Sequence, residues 1–156
     1  MPEPTEPYSL ADTWLLNNRV NLMLLDRLTP QQLAYTASPR ARNIAGQIAH
    51  LHNVRGMWLE VRSPSLAKSL PKLEKGPPKE SIRAALEASG KLMGEWIAES
   101  EKTGKMKAAK RGVAVFFGYA LAHEAHHRGQ ILLHLKYAGM PVDRDFSYAI
   151  WDWQKI

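Results

Sequence analysis

The 156-residue sequence predicts an all-α fold: an up-down four-helix bundle with one long crossover between its second and third helices. Three observations lead there. Four long segments carry apolar residues near the 3.6-residue helical period. No run shows the strict apolar–polar alternation of a half-buried strand. Proline, glycine and lysine collect between the helical segments rather than inside them.

The first helix is expected from about Leu10 to Leu28. Ser9 with Asp12 has the spacing of a capping box, and Leu10, Trp14, Leu16, Val20, Met23 and Leu24 form the apolar stripe. In "TPQQL", Thr29 reads as a cap and Pro30 as the first residue of a short helical turn. The second helix is placed over Pro39–Val61, opening at Ser38-Pro39. "RSPSLAKSLPKLEKGPPK" follows as a long crossover loop, a functional flap or a mobile surface segment by its length. The third helix covers about Glu80–Ser100, with Ile82, Leu86, Met93, Trp96 and Ile97 inward, and "KTGKMKAAKRG" connects it to the fourth, Gly112–Ala138, which "AGMP" ends. Residues 1–156 are read as one domain, with a flexible proline-rich leader over residues 1–8 and a docked aromatic tail over residues 140–156.

Composition narrows the function. Charges interrupt every apolar run that could cross a membrane. The acidic, proline-rich "MPEPTEPYS" lacks the blocks of a signal peptide, so a cytoplasmic location is expected. There is no cysteine, so any metal must be held by histidine or carboxylate. The formal charge of +6 comes largely from "KSLPKLEKGPPKE" and "EKTGKMKAAKR". Neither contains an aromatic residue, and solvated lysines on connectors are the preferred reading over a nucleic-acid surface. Attraction of an anionic substrate stays open. The fourth helix is apolar on more sides than one core can cover (Phe116, Phe117, Tyr119, Leu121, Ile131, Leu132, Leu133 and Leu135), which suggests a second subunit.

The chemistry concentrates in "YALAHEAHHRGQILLHL", Tyr119–Leu135, with four histidines. Residues four apart on a helix differ by about 40° and about 6 Å, so His123 and His127 stand one above the other and can share a divalent ion. His126 competes for the second place. His134 lies about 10 Å further along the axis, too far for the same ion. The letters H-E-x-x-H also match the zinc-protease pattern, but the downstream ligand that chemistry needs is missing: positions 130 and 133 are Gln130 and Leu133. The better third ligand is His50 in "GQIAHLHNVRGMW", on one face with Gln47, Val54 and Trp58. His52, about 200° away, is expected to be exposed or at an interface. Three neutral imidazoles from two helices would leave positions open for water or substrate, the mark of a catalytic site.

With His50 in "IAHLHNVRGMW", then "HEAHHRGQI" on a long last helix and a "WDW" tail, the chain resembles the DinB-like (YfiT-like) superfamily of metal-dependent enzymes along nearly its whole length. The resemblance implies a helical bundle, commonly dimeric, with nickel, zinc or another divalent ion (iron and manganese included) on His50, His123 and His127. It also implies, for some members, transferase or isomerase chemistry with low-molecular-weight thiols.

For this chain the resemblance points to a metal-dependent, small-molecule, thiol-dependent transferase, the less demanding chemistry because a metal-activated thiol is itself the nucleophile. A metal-dependent hydrolase is the alternative, and a non-enzymatic metal-binding or stress-response module the third reading. Glu124, Arg128 and Gln130 are the weak catalytic candidates. Glu124 points about 100° from His123 and is assigned a solvent or ion-pair role; Arg128 is assigned a structural role; Gln130 could line the pocket. Asn18 and Asn21 read as helix-surface residues, and Trp58, Trp151 and Trp153 as core before pocket wall. Neither nucleic acid nor membrane is expected as a partner; a homodimer is.

Overall fold

The computed structural model describes residues 7–156 and is all-helical, with no strand among the described residues. Residues 1–6 of the leader lie outside that range. Four helices are long: α1 (Leu10–Arg27), α3 (Ile44–Arg62), α5 (Lys79–Thr103) and α6 (Val113–Tyr137). Three are short: α2 (Pro30–Ala34), α4 (Pro64–Lys68) and α7 (Arg144–Ala149). No described helix is long and apolar enough to cross a membrane.

Local chemistry sets the helix starts. Ser9 and Asp12 form the capping box reciprocally, and Thr29 and Gln32 repeat it ahead of Pro30. The second long helix departs from expectation. It begins at Ile44, because the Asn43 side chain accepts from the Gly46 N–H at 2.8 Å and takes the capping role. Ser38-Pro39 instead lies in a turn closed by the Thr36–Asn43 bridge. The crossover over residues 63–78 contains α4, so it is not a bare loop.

Two apolar cores stack along the long helices. One gathers Leu24, Leu25 and Leu28 with Ile44, Ile48, Leu51, Ile82, Leu86, Ile131 and Leu135. The other gathers Trp14 with Leu59, Met93, Trp96, Ile97, Phe116 and Ala120. Following residue number from one core to the other, α1 and α6 run one way and α3 and α5 the other. The crossover must therefore travel back along the molecule between α3 and α5, which explains its length. The ends of α1 are tied to α5 in the same sense. Glu101 accepts from the free N–H groups of Leu10 and Ala11, and Lys79 Nζ donates to the carbonyls of Asp26 and Leu28.

His52 is buried, not exposed. Its Nδ1 lies 3.0 Å from the Ala85 carbonyl and its Nε2 3.0 Å from that of Pro71. The expectation failed because α3 is covered on the side opposite His50 as well, by α5 and the crossover. His52 bridges those two. Burial lowers its pKa and outweighs the two carbonyl contacts, which raise it.

The tail docks through Phe146, Ile150, Trp153 and Ile156 onto Leu16 and Val20, and Arg27 pairs with Asp143. Trp151 is 75% exposed and contributes to neither core nor pocket.

α5 packs tightly on α1 at Gly94, against Leu15 and Trp14, and most tightly at Gly90. Its carbonyl accepts from the Trp14 indole at 2.9 Å, and a Cβ built on it would lie 2.4 Å from the Asn18 amide nitrogen. Gly90→Ala should therefore destabilise the protein by about 1–3 kcal/mol through overpacking, despite the better helix propensity of alanine. Urea denaturation checks this; a variant as stable as the parent would show that α1 and α5 can separate without loss.

Candidate metal centre

The triad arises from two helices that meet at mid-height. His50 stands on α3, and His123 and His127 stand on α6, all three half-buried. The ring centroids are 5.5 Å apart for His50–His123, 4.9 Å for His50–His127 and 4.7 Å for His123–His127. Each residue offers a ring nitrogen, and those nitrogens lie within 4.8 Å of one another, so the three can hold a metal ion.

The donor set fits a divalent ion in protonation state too. Burial lowers the pKa of all three rings. Arg42 and His123 lower His50 further, and His126 lowers His123, whose neighbour Glu124 acts the other way. For His127, burial and then the neighbouring histidines and Arg42 bring the value to about 4. The rings are thus neutral near pH 7, the form that ligates. His127 Nδ1 is buried with no hydrogen-bond partner. Such an orphaned nitrogen is costly unless something engages it.

The remaining histidines are not part of the cluster. His126 is exposed beside His127, with centroids 5.2 Å apart. His134 Nδ1 lies 3.4 Å from Gln47 Nε2.

Glu124 is 2% exposed, yet it faces away from the triad. Its Oε1 accepts from Arg55 Nε at 2.7 Å. Its Oε2 accepts from Arg55 NH2 at 3.0 Å and from the amides of Asn17 and Asn21, each at 2.7 Å. Arg55 NH1 donates to Asn18 Oδ1, the Leu86 carbonyl and Ser89 Oγ. Arg128 NH1 donates to Asn17 Oδ1 at 2.8 Å and Asn21 Oδ1 at 2.7 Å. Glu124 is thus half of a buried ion pair with Arg55, and Arg128 is held by two amides of α1. The surface reading of Asn18 and Asn21 does not stand: both are buried, because α1 turns its asparagine face inward to meet these charges. Burial alone would raise the Glu124 pKa, but the charge and hydrogen bonds of Arg55 and the two amides outweigh it and hold the carboxylate ionised.

Sequence reasoning passed over Arg55, the centre of this network. A signal was present. An arginine inside the apolar "NVRGMW" needs a buried anion, and Glu124 is the carboxylate inside the apolar stretch of α6.

Two clefts border the triad. Trp58, Phe116 and Tyr119 line an apolar one of about 460 Å³ beside the connector over residues 108–112. Tyr119 stacks on His123 at 6.3 Å and 23°. On the other side a polar cleft of about 500 Å³ is lined by residues including Gln47, His127, Gln130 and His134. Gln130 thus joins the site wall.

Residues 1–149 match the profile of the DinB family. The chain belongs to the DinB family. No curated protein and no solved structure gives a significant match.

Two outcomes follow from this geometry. Glu124→Gln leaves two buried guanidinium groups without their carboxylate and should cost about 3–5 kcal/mol in denaturant unfolding; a cost under about 1 kcal/mol would show that the charge is dispensable. The second concerns pH. Between about pH 6.5 and 4 the unfolded chain holds protons at the triad positions that the folded chain refuses, so stability of the metal-free protein must fall on acidification through that window. His127→Gln should make this slope shallower. Equal slopes for parent and variant would contradict the depressed His127 pKa.

Proposed function

We propose that this chain is a divalent-metal-dependent enzyme that holds its ion on His50, His123 and His127, and that it acts as a thiol-dependent transferase on small molecules. The single observation that carries this reading is the convergence of three neutral imidazoles from α3 and α6 on one point, with no carboxylate in the cluster among the described residues. Three protein ligands leave coordination positions free for a reactant. When bound, a divalent ion there supplies Lewis-acid chemistry and lowers the pKa of a thiol or water that reaches it. Imidazole donors suit nickel and zinc, and iron and manganese to a lesser degree.

The chain's own residues favour transfer over hydrolysis. A hydrolase needs a base near the attacking water. Glu124, the nearest carboxylate in sequence, spends both oxygens on Arg55, Asn17 and Asn21. A thiol reactant needs only the three ligands, a wall to orient it and a cleft for its partner. Tyr119 and Trp58 supply an apolar wall, and Gln47 and Gln130 a polar one. A purely structural ion has less to do here, because two apolar cores and the Arg55–Glu124 pair already join α3 to α6.

We further propose that the four long helices form one bundle domain that pairs with a second copy across the outer face of α6. Val115, Tyr119, Leu133 and Tyr137 are exposed there.

Metal analysis of the purified protein should find about one ion per chain, and His50→Ala and His127→Ala should each lose most of it, since each removes one of three ligands. A chelator should lower the melting temperature only modestly, whereas a structural clamp would lose much of its stability. The loaded protein should then conjugate low-molecular-weight thiols to small electrophiles, and the His variants should not. Full occupancy in both variants would refute the ligand assignment, and silence across a thiol panel would refute transfer. Light scattering should give twice the chain mass; a monomer would refute the pairing.

A further inference from the structure

The polar cleft beside His127 has the composition of a binding site. Arg40 and Arg42 stand on its rim, Gln47, Gln130 and His134 line it, and among the described residues no carboxylate does. Among the described residues, Arg27, Arg62 and Arg83 each pair with a carboxylate, whereas Arg40 and Arg42 make no ion pair. Their backbone is nevertheless held in place: the Ala41 N–H donates to the Ser38 carbonyl and the Ile44 N–H to that of Tyr35, both at 3.0 Å. Arg42 lies near enough to the triad for its charge to act on His50 and His127.

A second observation is independent of charge. Gln47 is 6% exposed and lines this cleft, yet its Oε1 has no hydrogen-bond partner. Buried amides in folded proteins are almost always paired. Here one end of the amide meets His134 and the other end is orphaned in the wall, one helical turn from His50. Two cations without counter-ions suit an anionic group, and the free Gln47 Oε1, an acceptor only, suits an N–H or O–H elsewhere on the same small molecule.

We propose that this cleft binds the anionic end of the substrate, a small oxyanion of the carboxylate or phosphate kind. Arg40 and Arg42 neutralise its charge, the Gln130 amide donates to it, Gln47 Oε1 accepts from an N–H or O–H elsewhere on the molecule, and the rest extends across His127 toward the triad and the aromatic cleft beyond. Guanidinium forks match both oxyanions in a bidentate manner. A cleft of about 500 Å³ suits a small molecule rather than a polymer. The assignment rests on the proposed reaction centre only for what the bound molecule meets next.

The test is calorimetric titration of the metal-free and zinc-loaded protein with benzoate, with benzamide as its neutral isostere, and with inorganic phosphate. Metal-free protein should bind benzoate at least about tenfold more tightly than benzamide. Arg42→Gln and Arg40→Gln should each weaken benzoate about tenfold or more, and Lys91→Gln, on the exposed side of α5, should change it less than twofold. Both arginines are exposed and unpaired, so the melting temperature should hold. Phosphate displacing benzoate at a tenfold lower concentration identifies a phosphoryl group as the natural anion; the reverse identifies a carboxylate. Benzoate and benzamide binding alike, no binding of either anion, or full binding by both arginine variants overturns the proposal. Zinc affinity, measured alongside, reports on the triad alone. Zinc binding without anion binding sinks the cleft and leaves the metal centre, and anion binding without zinc binding does the opposite.

Discussion

The structure turns on one buried ion pair. Arg55 and Glu124 are both about 2% exposed and meet through two hydrogen bonds at 2.7 and 3.0 Å. Neither charge could stay buried alone, because the desolvation cost of each is several kcal/mol. The partners extend to every long helix: Asn17, Asn18 and Asn21 on α1, Leu86 and Ser89 on α5, and Arg128 on α6. An apolar core packs above and another below this polar layer. Greasy contacts tolerate sliding, but a fork of directional hydrogen bonds does not. The layer therefore sets the register at which the helices meet.

That register is what makes the triad. His50 lies five residues before Arg55, and His123 immediately precedes Glu124. Once the ion pair is made on the inner faces of α3 and α6, the histidines of both helices come level on an adjacent face. Both Glu124 oxygens are engaged by Arg55, Asn17 and Asn21. Glu124 works on the site through the backbone, by deciding where His123 stands. The depressed histidine pKa values have the same origin, since partial burial and crowding among like rings both disfavour the protonated form.

The surroundings divide the work. Aromatic side chains wall one side of the triad, and unpaired arginines with a buried amide wall the other. Between them stand three histidines placed to hold a metal ion.

Much of this was legible in the residues, because the governing physics is local. Helical periodicity marked the four long helices, Ser9–Asp12 and Thr29–Gln32 marked two helix starts, and the four-residue spacing of His123 and His127 placed both on one face. The cases that misled were those in which a second surface covers a helix. His52 and Asn21 look exposed when one buried stripe per helix is assumed, but α3 is covered on opposite sides and α1 turns polar residues into a charged interior. The start of α3 moved for a local reason, the competition between Ser38-Pro39 and the Asn43 cap. By itself, then, the sequence determined the helices, the donor atoms and the faces they share, since these depend on spacing along one chain segment. Only the tertiary structure decided the partner of Glu124, the burial of Arg55 and the cleft at Arg42. Each of these is a meeting of residues far apart in the chain, and burial and charge can be balanced only after the helices have packed.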